Sequence, residues 1–260
     1  MKIATWNVNS IKARMPSVSE WLESANPDVV LLQEIKSTAD TFPYSQLSHL
    51  GYNIEVVGQK TYNGVAILSK RPIEDIITKL PGDSTDEQAR YIEAVVGDVR
   101  VASVYVPNGQ EVGSEKFAYK LAFYERLYRH VQTLLQYEEA FVIGGDYNVA
   151  LNDEDVYDPK TLAGKLLFSL PERSCLRKIL NLGLTDATRI IHPASSPQGQ
   201  EMYSWWDYRA GSWANNNGMR IDYLLLSPQA ADRLDDSQID KLARGKTKAS
   251  DHAPVWCSLR

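Results

Sequence analysis

Short, unbroken apolar runs that end in polar residues recur along the whole chain, and segments with helical periodicity separate them. Residues 29–32 form such a run before Gln33 and Glu34, and residues 140–143 form another before Gly144 and Gly145. Runs of this length are typical of strands that are buried on both faces. We therefore predict an α/β fold in which two mixed sheets pack face to face and helices cover their outer sides.

The same patterns predict individual elements. Further strands are predicted at residues 1–6, 65–68, 92–96, 99–106, 203–206, 220–227 and 254–259, and helices at residues 16–25, 114–136 and 171–182. No repeat, low-complexity tract or linker-like stretch separates these elements. We therefore predict a single domain over residues 1–260.

The composition is that of a globular protein, with 43% hydrophobic and 23% charged residues. It excludes the disordered, collagenous and membrane-embedded classes. Two cysteines, Cys175 and Cys257, are too few for a disulfide framework, so we expect the reducing cytoplasm. We expect a monomer, because no exposed apolar periodicity suggests a partner helix, and we expect no signal peptide and no membrane contact. A net charge of −5 argues against binding to nucleic acid through bulk positive charge, but it allows basic patches or a bound metal ion.

Polar side chains that can bind metals or transfer protons follow or begin several predicted strands. They are Asn7, Glu34, Asp146, Asn148, Asp222, Asp251 and His252. Any one of them alone is most often a turn former or helix cap. Because strand ends converge at a sheet edge, the set can form one site, and oxygen ligands with one histidine match Mg²⁺ or Mn²⁺ better than zinc. Such a site is typical of chemistry on phosphate esters.

Six ordered motifs carry a family resemblance. They are Thr-Trp-Asn-Val-Asn (5–9), Leu-Gln-Glu-Ile-Lys (32–36), Val-Tyr-Val-Pro-Asn-Gly (104–109), Gly-Asp-Tyr-Asn (145–148), Gly-Met-Arg-Ile-Asp-Tyr (218–223) and Ser-Asp-His-Ala-Pro-Val (250–255). Together they resemble the exonuclease III family of abasic-site endonucleases, within the endonuclease/exonuclease/phosphatase superfamily. The resemblance covers residues 3 to about 257. It implies a four-layer α/β sandwich with the active site at one edge of both sheets.

The resemblance also implies a metal site. Glu34, with Asn7 and Asp251 close by, would hold the main divalent cation, which would be Mg²⁺ or alternatively Mn²⁺. Asp146 would position and deprotonate the attacking water, and Asn148 would orient that water or contact the metal. Asp146 and Asn148 are therefore candidates both for catalysis and for metal binding.

Three more residues would act on the phosphate by the same resemblance. His252 would donate a hydrogen bond to a phosphate oxygen while Asp222 holds its imidazole, and Tyr105 would contact the phosphate in the transition state. A dianionic transition state needs such donors. His49, His130 and His192 are interpreted as structural or surface residues.

Position 105 and the tryptophan-rich segment 204–209 resemble the DNA-repair branch of the superfamily. Pancreatic-type deoxyribonucleases have a second histidine where this chain has Tyr105. We expect Trp205, Met219 and Ile221 to line a pocket for an extruded abasic sugar, since a small sugar fits between apolar walls. The alternative is that the tryptophans are core residues, which is our interpretation of Trp206.

Candidate phosphate contacts are Arg90, Asn108, Lys116, Lys120, Arg209, Arg220, Arg244, Lys246 and Lys248, of which Lys120 and Lys248 are more simply solvated charges.

Three departures from the family pattern argue against tight DNA binding. Ser10 replaces a glycine, Glu111 stands where some relatives insert an arginine into DNA, and residues 153–155 are acidic.

The function that the resemblance implies is cleavage of double-stranded DNA on the 5′ side of an abasic site, leaving a 3′-hydroxyl. It also allows 3′→5′ exonuclease and 3′-phosphatase activity on blocked 3′ ends. One alternative is a superfamily phosphatase or phosphodiesterase that acts on a lipid or inositol phosphate. Another is an interaction module without catalysis, although every catalytic position holds a competent residue.

Overall fold

The computed structural model describes residues 1–260, and its twelve strands form two six-stranded sheets. The strands are β1 (Lys2–Asn7), β2 (Val29–Gln33), β3 (Asn53–Val57), β4 (Val65–Ser69), β5 (Glu74–Ile77), β6 (Tyr91–Val96), β7 (Val99–Tyr105), β8 (Phe141–Asp146), β9 (Thr185–Asp186), β10 (Asp222–Leu226), β11 (Leu234–Ile239) and β12 (Val255–Leu259). The first sheet has the order β11-β12-β1-β2-β4-β3, and the second has the order β5-β6-β7-β8-β10-β9. In each sheet one central pair is parallel, β1 with β2 and β7 with β8, and the other pairs are antiparallel.

Eight α-helices connect the strands. They are α1 (Ile11–Ala25), α2 (Tyr44–Ser48), α3 (Glu115–Leu135), α4 (Pro159–Leu162), α5 (Leu170–Leu180), α6 (Ala187–Ile191), α7 (Pro228–Ala231) and α8 (Lys241–Arg244). Short 3₁₀ turns lie at Ala39–Thr41, Asp153–Asp155 and Pro197–Gly199. None of the helices is both long and apolar enough to cross a membrane.

Strand alternation distributes apolar side chains between the layers. In β1, Ile3 contributes to the core between the two sheets, and the neighbouring Ala4 faces a separate core under α1. A third core joins α3 and α5 to the outer face of the second sheet, where Leu127 and Leu176 pack with Ile143. The order of layers is therefore helix, sheet, sheet, helix, and the predicted four-layer α/β sandwich is confirmed.

The long helix and the buried strands lie close to their predicted positions, whereas the first helix and one strand do not. Helix α1 begins at Ile11 rather than Pro16, because the side chain of Ser10 caps it by accepting from the Ala13 amide. Pro16 lies inside this helix. The strand predicted at 203–206 is wrong. Trp205 forms only isolated bridges there, since its backbone pairs with Met219 and His252 in irregular segments.

Candidate active site

The ends of five strands meet at one edge of the sandwich. Asn7 is the last residue of β1, and β2 runs parallel beside it, so Glu34 emerges next to Asn7. In the second sheet Asp146 ends β8 and lies opposite both Tyr105 on β7 and Asp222 on β10. The two sheets thus present their polar ends to each other, as the sequence predicted for convergent strand ends.

Asp222, His252 and Asp146 form a buried line of charges. His252 Nδ1 donates to Asp222 Oδ2 at 2.9 Å, and its Nε2 lies 3.7 Å from Asp146 Oδ2. Burial alone would lower the pKa of His252, but the carboxylates of Asp222 and Asp146 outweigh burial and raise that pKa well above its usual range. His252 is therefore an imidazolium at neutral pH, with Nδ1 committed to Asp222.

The pKa of Asp146 is shifted upward, which suits a proton acceptor. Burial raises this pKa, and the positive charge of His252 partly opposes the shift. Its Oδ2 accepts from Asn7 Nδ2 at 2.9 Å, and its Oδ1 accepts from the Asn148 amide at 2.8 Å. These bonds fix the carboxylate, and a base with a pKa nearer neutrality accepts a proton more effectively at physiological pH.

A group of oxygen atoms lies beside this line. Asn7 Nδ2 also donates to Glu34 Oε1 at 2.9 Å, so one amide bridges Glu34 and Asp146. Lys36 Nζ is 3.0 Å from Glu34 Oε2. The Tyr105 hydroxyl is held near Glu34, and burial together with the Glu34 and Asp146 charges raises the pKa of Tyr105 well above its usual range. Tyr105 is therefore a phenol that can donate.

Asp251 completes the oxygen-rich side of the site. Its Oδ1 accepts from Asn9 Nδ2 and its Oδ2 from Trp205 Nε1, each at 3.0 Å. Burial alone would raise the pKa of Asp251, but the charge of His252 and these hydrogen bonds lower it. Asp251 is thus an ionised carboxylate held by two side chains.

The site offers ligands for a metal ion. Asp146, Asp222 and His252 each present one ligand atom, and these atoms lie within 4.8 Å of one another, so the group could hold a metal ion. Glu34 and Asp251 line the same cavity as Asp146, and the Asn7 amide bridges Glu34 to Asp146. The only ion pair of Glu34 is with Lys36.

These groups face a cavity of about 250 Å³. Its lining consists of Glu34, Tyr105, Asn108, Asp146, Asn148, Leu167, Trp205, Ile221, Asp251 and His252. Sequence reasoning missed Leu167, which has φ +70°. Leucine rarely adopts this left-handed conformation, so the sequence gives no reason to expect it at this position. Its carbonyl accepts from the Ala150 amide at 2.8 Å, which fixes its side chain at the cavity wall.

A groove of about 720 Å³ adjoins the cavity through Tyr105 and Asn108. Two of the predicted DNA-binding cations, Arg90 and Lys116, line this groove, and the Arg90 guanidinium lies 4.6 Å from the centre of the Tyr105 ring. Tyr62, which is 52% exposed, lines it as well and was not predicted. The Asn-Gly turn signal that follows Tyr62 could have indicated an exposed loop there.

Two of the predicted DNA contacts lie elsewhere. Arg220 is fully buried, and its Nε and Nη1 each lie 2.7 Å from a carboxylate oxygen, of Asp155 and Asp186 respectively. It has no free surface for a DNA phosphate, so that prediction is wrong. Met219 is absent from the cavity lining and belongs to a small buried cluster that also contains Phe168 and Ile221.

Asp155 of the acidic loop and Lys120 are internal as well, whereas Asp153 and Glu154 are exposed. Asp155 is buried as the partner of Arg220 and Arg189, so it does not face DNA. Lys120 is fully buried and pairs with Glu172, so it is neither a solvated charge nor a phosphate contact.

Known proteins share this fold and most of this length. The Endonuclease/Exonuclease/phosphatase family matches residues 4–252. Exodeoxyribonuclease III of Haemophilus influenzae is 33% identical over 100% of both chains. Among solved structures, the Neisseria 3′ phosphatase NExo bound to a product DNA hairpin superimposes with a TM-score of 0.95 at 39% identity, covering 100% of this chain and 99% of NExo. NExo is also described as a 3′-5′ exonuclease.

An AP endonuclease from Archaeoglobus fulgidus superimposes with a TM-score of 0.93 at 37% identity, over 100% of this chain and 99% of the archaeal chain. The sandwich and its polar edge define a hydrolase of the endonuclease/exonuclease/phosphatase superfamily. Within that superfamily the chain belongs to the exonuclease III/AP endonuclease family of DNA repair nucleases.

Proposed function

We propose that this chain is a Mg²⁺-dependent nuclease that hydrolyses the phosphodiester 5′ to an abasic site, leaving a 3′-hydroxyl, and that it also processes blocked or undamaged 3′ ends. The observation that carries this proposal is the cavity in which Glu34, Asp146 and His252 face one another. One site serves all of these reactions, because each attacks a phosphorus atom bonded to the 3′ oxygen of a sugar.

Asp146 takes the proton from the attacking water in this proposal. The Asn7 and Asn148 hydrogen bonds hold its carboxylate, and burial favours its accepting a proton. Asn148 lines the same cavity. It would orient the water or contact the metal. A well-placed general base is worth about 10²–10⁴ in rate.

His252 and Tyr105 stabilise the charge that develops on the phosphate. His252 carries a positive charge and uses Nδ1 to bond Asp222, which leaves Nε2 on the cavity side. Tyr105 is a phenol that can donate to another oxygen. Fixed donors of this kind stabilise a dianionic transition state without reorganisation of solvent.

Glu34, Asn7 and Asp251 would hold Mg²⁺, with Mn²⁺ as the alternative, because their oxygen-only set suits a hard cation. When bound, the ion would polarise a phosphate oxygen and neutralise charge on the leaving 3′ oxygen. The set of Asp146, Asp222 and His252 fits this role less well, since it includes a nitrogen ligand and His252 is already bonded to Asp222.

Double-stranded DNA is the proposed partner, and NExo, with 39% identity, has been solved with a DNA hairpin. Arg90, Asn108 and Lys116 would contact phosphates along the groove. Trp205 and Ile221 would contact the abasic sugar, since both line the cavity.

We further propose that residues 1–260 act as one domain and as a monomer in a bacterial-type cytoplasm. The core shared by the two sheets and the two free cysteines support this proposal.

A labelled duplex with one tetrahydrofuran abasic analogue tests the proposal. It is incubated with Mg²⁺ or EDTA, beside an undamaged duplex, a duplex with a 3′-phosphate and the Asp146→Asn variant. We expect one EDTA-sensitive cut 5′ to the lesion and loss of the 3′-phosphate, both abolished in the variant. Hydrolysis of an inositol phosphate without cleavage of any duplex would overturn the proposal in favour of the phosphatase branch.

A further inference from the structure

Lys120 on α3 has none of its surface exposed, which is rare for a lysine. Its ammonium group has three hydrogens and three acceptors. It donates to the main-chain carbonyls of Asn108 at 3.2 Å and Asn148 at 2.6 Å, and to the carboxylate of Glu172. All of the donor capacity of the ammonium is therefore used inside the protein.

The two carbonyls belong to residues of the cavity. Asn108 follows β7 and Asn148 follows β8, and both line the cavity. Their side chains are also joined, since Asn108 Nδ2 donates to Asn148 Oδ1 at 3.1 Å. Lys120 thus contacts from behind the two loops whose asparagines line the cavity.

Asn148 depends on outside contacts for its conformation. Its φ of +48° is left-handed, a region that costs a non-glycine residue about 1 kcal/mol or more. Three groups hold it there, because its amide donates to Asp146, its Nδ2 donates to the Val106 carbonyl and its own carbonyl accepts from Lys120. Without Lys120, the Asn148 carbonyl would lose its ammonium donor.

The charge pair is not explained by stability alone. Buried ion pairs are often no better than apolar groups of the same shape. Glu172 neutralises Lys120 and also accepts from the amide and hydroxyl of Ser169, which caps α5. A neutral pair of side chains at positions 120 and 172 could fill this space and keep the Ser169 cap. It would have no ammonium to donate to the carbonyls of Asn108 and Asn148.

We propose that Lys120 is a positioning residue, whose buried ammonium fixes the carbonyls of Asn108 and Asn148 and thereby holds both asparagine side chains toward the substrate. This inference rests on the proposed function of the cavity. It predicts that removal of the ammonium impairs turnover more than substrate binding, because Asn148 acts at the attacking water or the metal, whereas Arg90 and Lys116 keep their positions in the groove.

The test uses the double variant Lys120→Met/Glu172→Gln, which leaves no unpaired buried charge and retains a Ser169 acceptor. Its matched control is Arg100→Met/Glu93→Gln, which removes another largely buried pair, on the outer face of the second sheet. We expect kcat on the tetrahydrofuran duplex to fall about tenfold or more in the first variant, with KM changed by less than about threefold. The control retains kcat within about twofold.

Side-chain amide resonances of Asn108 and Asn148, recorded by NMR on DNA-free protein, give a readout independent of activity. They shift or broaden in the Lys120 variant and not in the control. If wild-type protein cleaves no DNA, the proposed function fails. The NMR measurement still tests whether Lys120 positions the two asparagines. Unchanged resonances and kcat in a folded Lys120 variant, or an equal loss of kcat in both variants, would overturn the inference.

Discussion

Two histidine–carboxylate pairs are buried in this chain, one at the cavity and one under the end of α3. His252 bonds Asp222 at 2.9 Å, and His130 Nε2 bonds Glu93 at 2.6 Å on the outer face of the second sheet. The two pairs have similar geometry. They differ in the balance between negative groups and the donors that surround them.

Donors saturate Glu93. Its oxygens accept from Tyr91, His130 and Arg100. Burial alone would raise the pKa of Glu93, but these hydrogen bonds and charges lower it. At the cavity, by contrast, burial raises the pKa of Asp146, the charge of His252 only partly opposes it, and the nearby acid Asp222 raises that pKa further. A histidine–carboxylate pair therefore does not by itself indicate an active site, whereas an excess of buried acids around it does.

The largest expected effect comes from Asp146→Asn. We expect kcat on abasic DNA to fall about 10³-fold, because an amide cannot accept the proton of the water. The midpoint of thermal unfolding should stay the same or rise, since a buried carboxylate is replaced by a neutral group of the same shape. Kinetics and a melting curve on one preparation check both. A large loss of stability would mean that the carboxylate is structural, as Glu93 is.

Asp222→Asn and Glu93→Gln compare the two pairs directly. The first should lower kcat about 10²-fold, because His252 loses the anion that orients and charges it. The second should cost about 1–3 kcal/mol in free energy of unfolding and leave kcat within twofold, because donors are left unpaired far from the cavity. Urea unfolding and steady-state kinetics on both variants distinguish these outcomes. Equal effects on kcat would remove the distinction between the pairs.

Glu34→Gln and Glu93→Gln compare the two regions by their response to Mg²⁺. We expect the Mg²⁺ concentration that gives half-maximal activity to rise about tenfold in Glu34→Gln, because this variant removes the proposed anionic ligand of the ion. Mg²⁺ should also raise the unfolding temperature of wild-type protein and of Glu93→Gln, but less that of Glu34→Gln. Thermal melts with Mg²⁺ or EDTA measure this shift. An equal shift in all three would place the ion elsewhere.

The smallest effect concerns acid stability. The pKa of Glu93 is lower in the folded than in the unfolded state, so its stabilising contribution is complete above its unfolded pKa. That contribution is lost as the pH falls through the unfolded and then the folded pKa. The difference in unfolding free energy between wild type and Glu93→Gln should therefore shrink from pH 7 to pH 4. Urea titrations at both values test this, and a difference that grows on acidification would show the opposite sign.

The sequence predicts the elements whose burial is complete. Strands β2, β4 and β8 are unbroken apolar runs, and their polar ends revealed Glu34 and Asp146. The edge strands were missed because their residues carry little pattern, and β5 is exposed along its whole length. Propensity and periodicity predict strands that are buried on at least one face. An edge strand has little buried surface, so these signals are weak there.

Within the site, the errors arose where tertiary partners decide the outcome. Arg220 looks like a DNA-contacting cation in sequence, but its position is set by Asp155, which a 3₁₀ turn directs inward from an acidic segment. Leu167 reaches the cavity through a backbone angle that leucine rarely adopts. Neither effect is encoded by neighbours in sequence, so local reasoning could not find it.

The pairing of β1 with β12 has a kinetic consequence. Lys2 lies opposite Ser258, so these adjacent strands are separated by nearly the whole described chain. Contacts so distant in sequence form slowly, because a long loop must close before they contribute. Asn7, at the end of β1, and Asp251, just before β12, can therefore approach each other only late in folding. We expect a newly made chain to acquire much of its secondary structure well before it can act on a substrate.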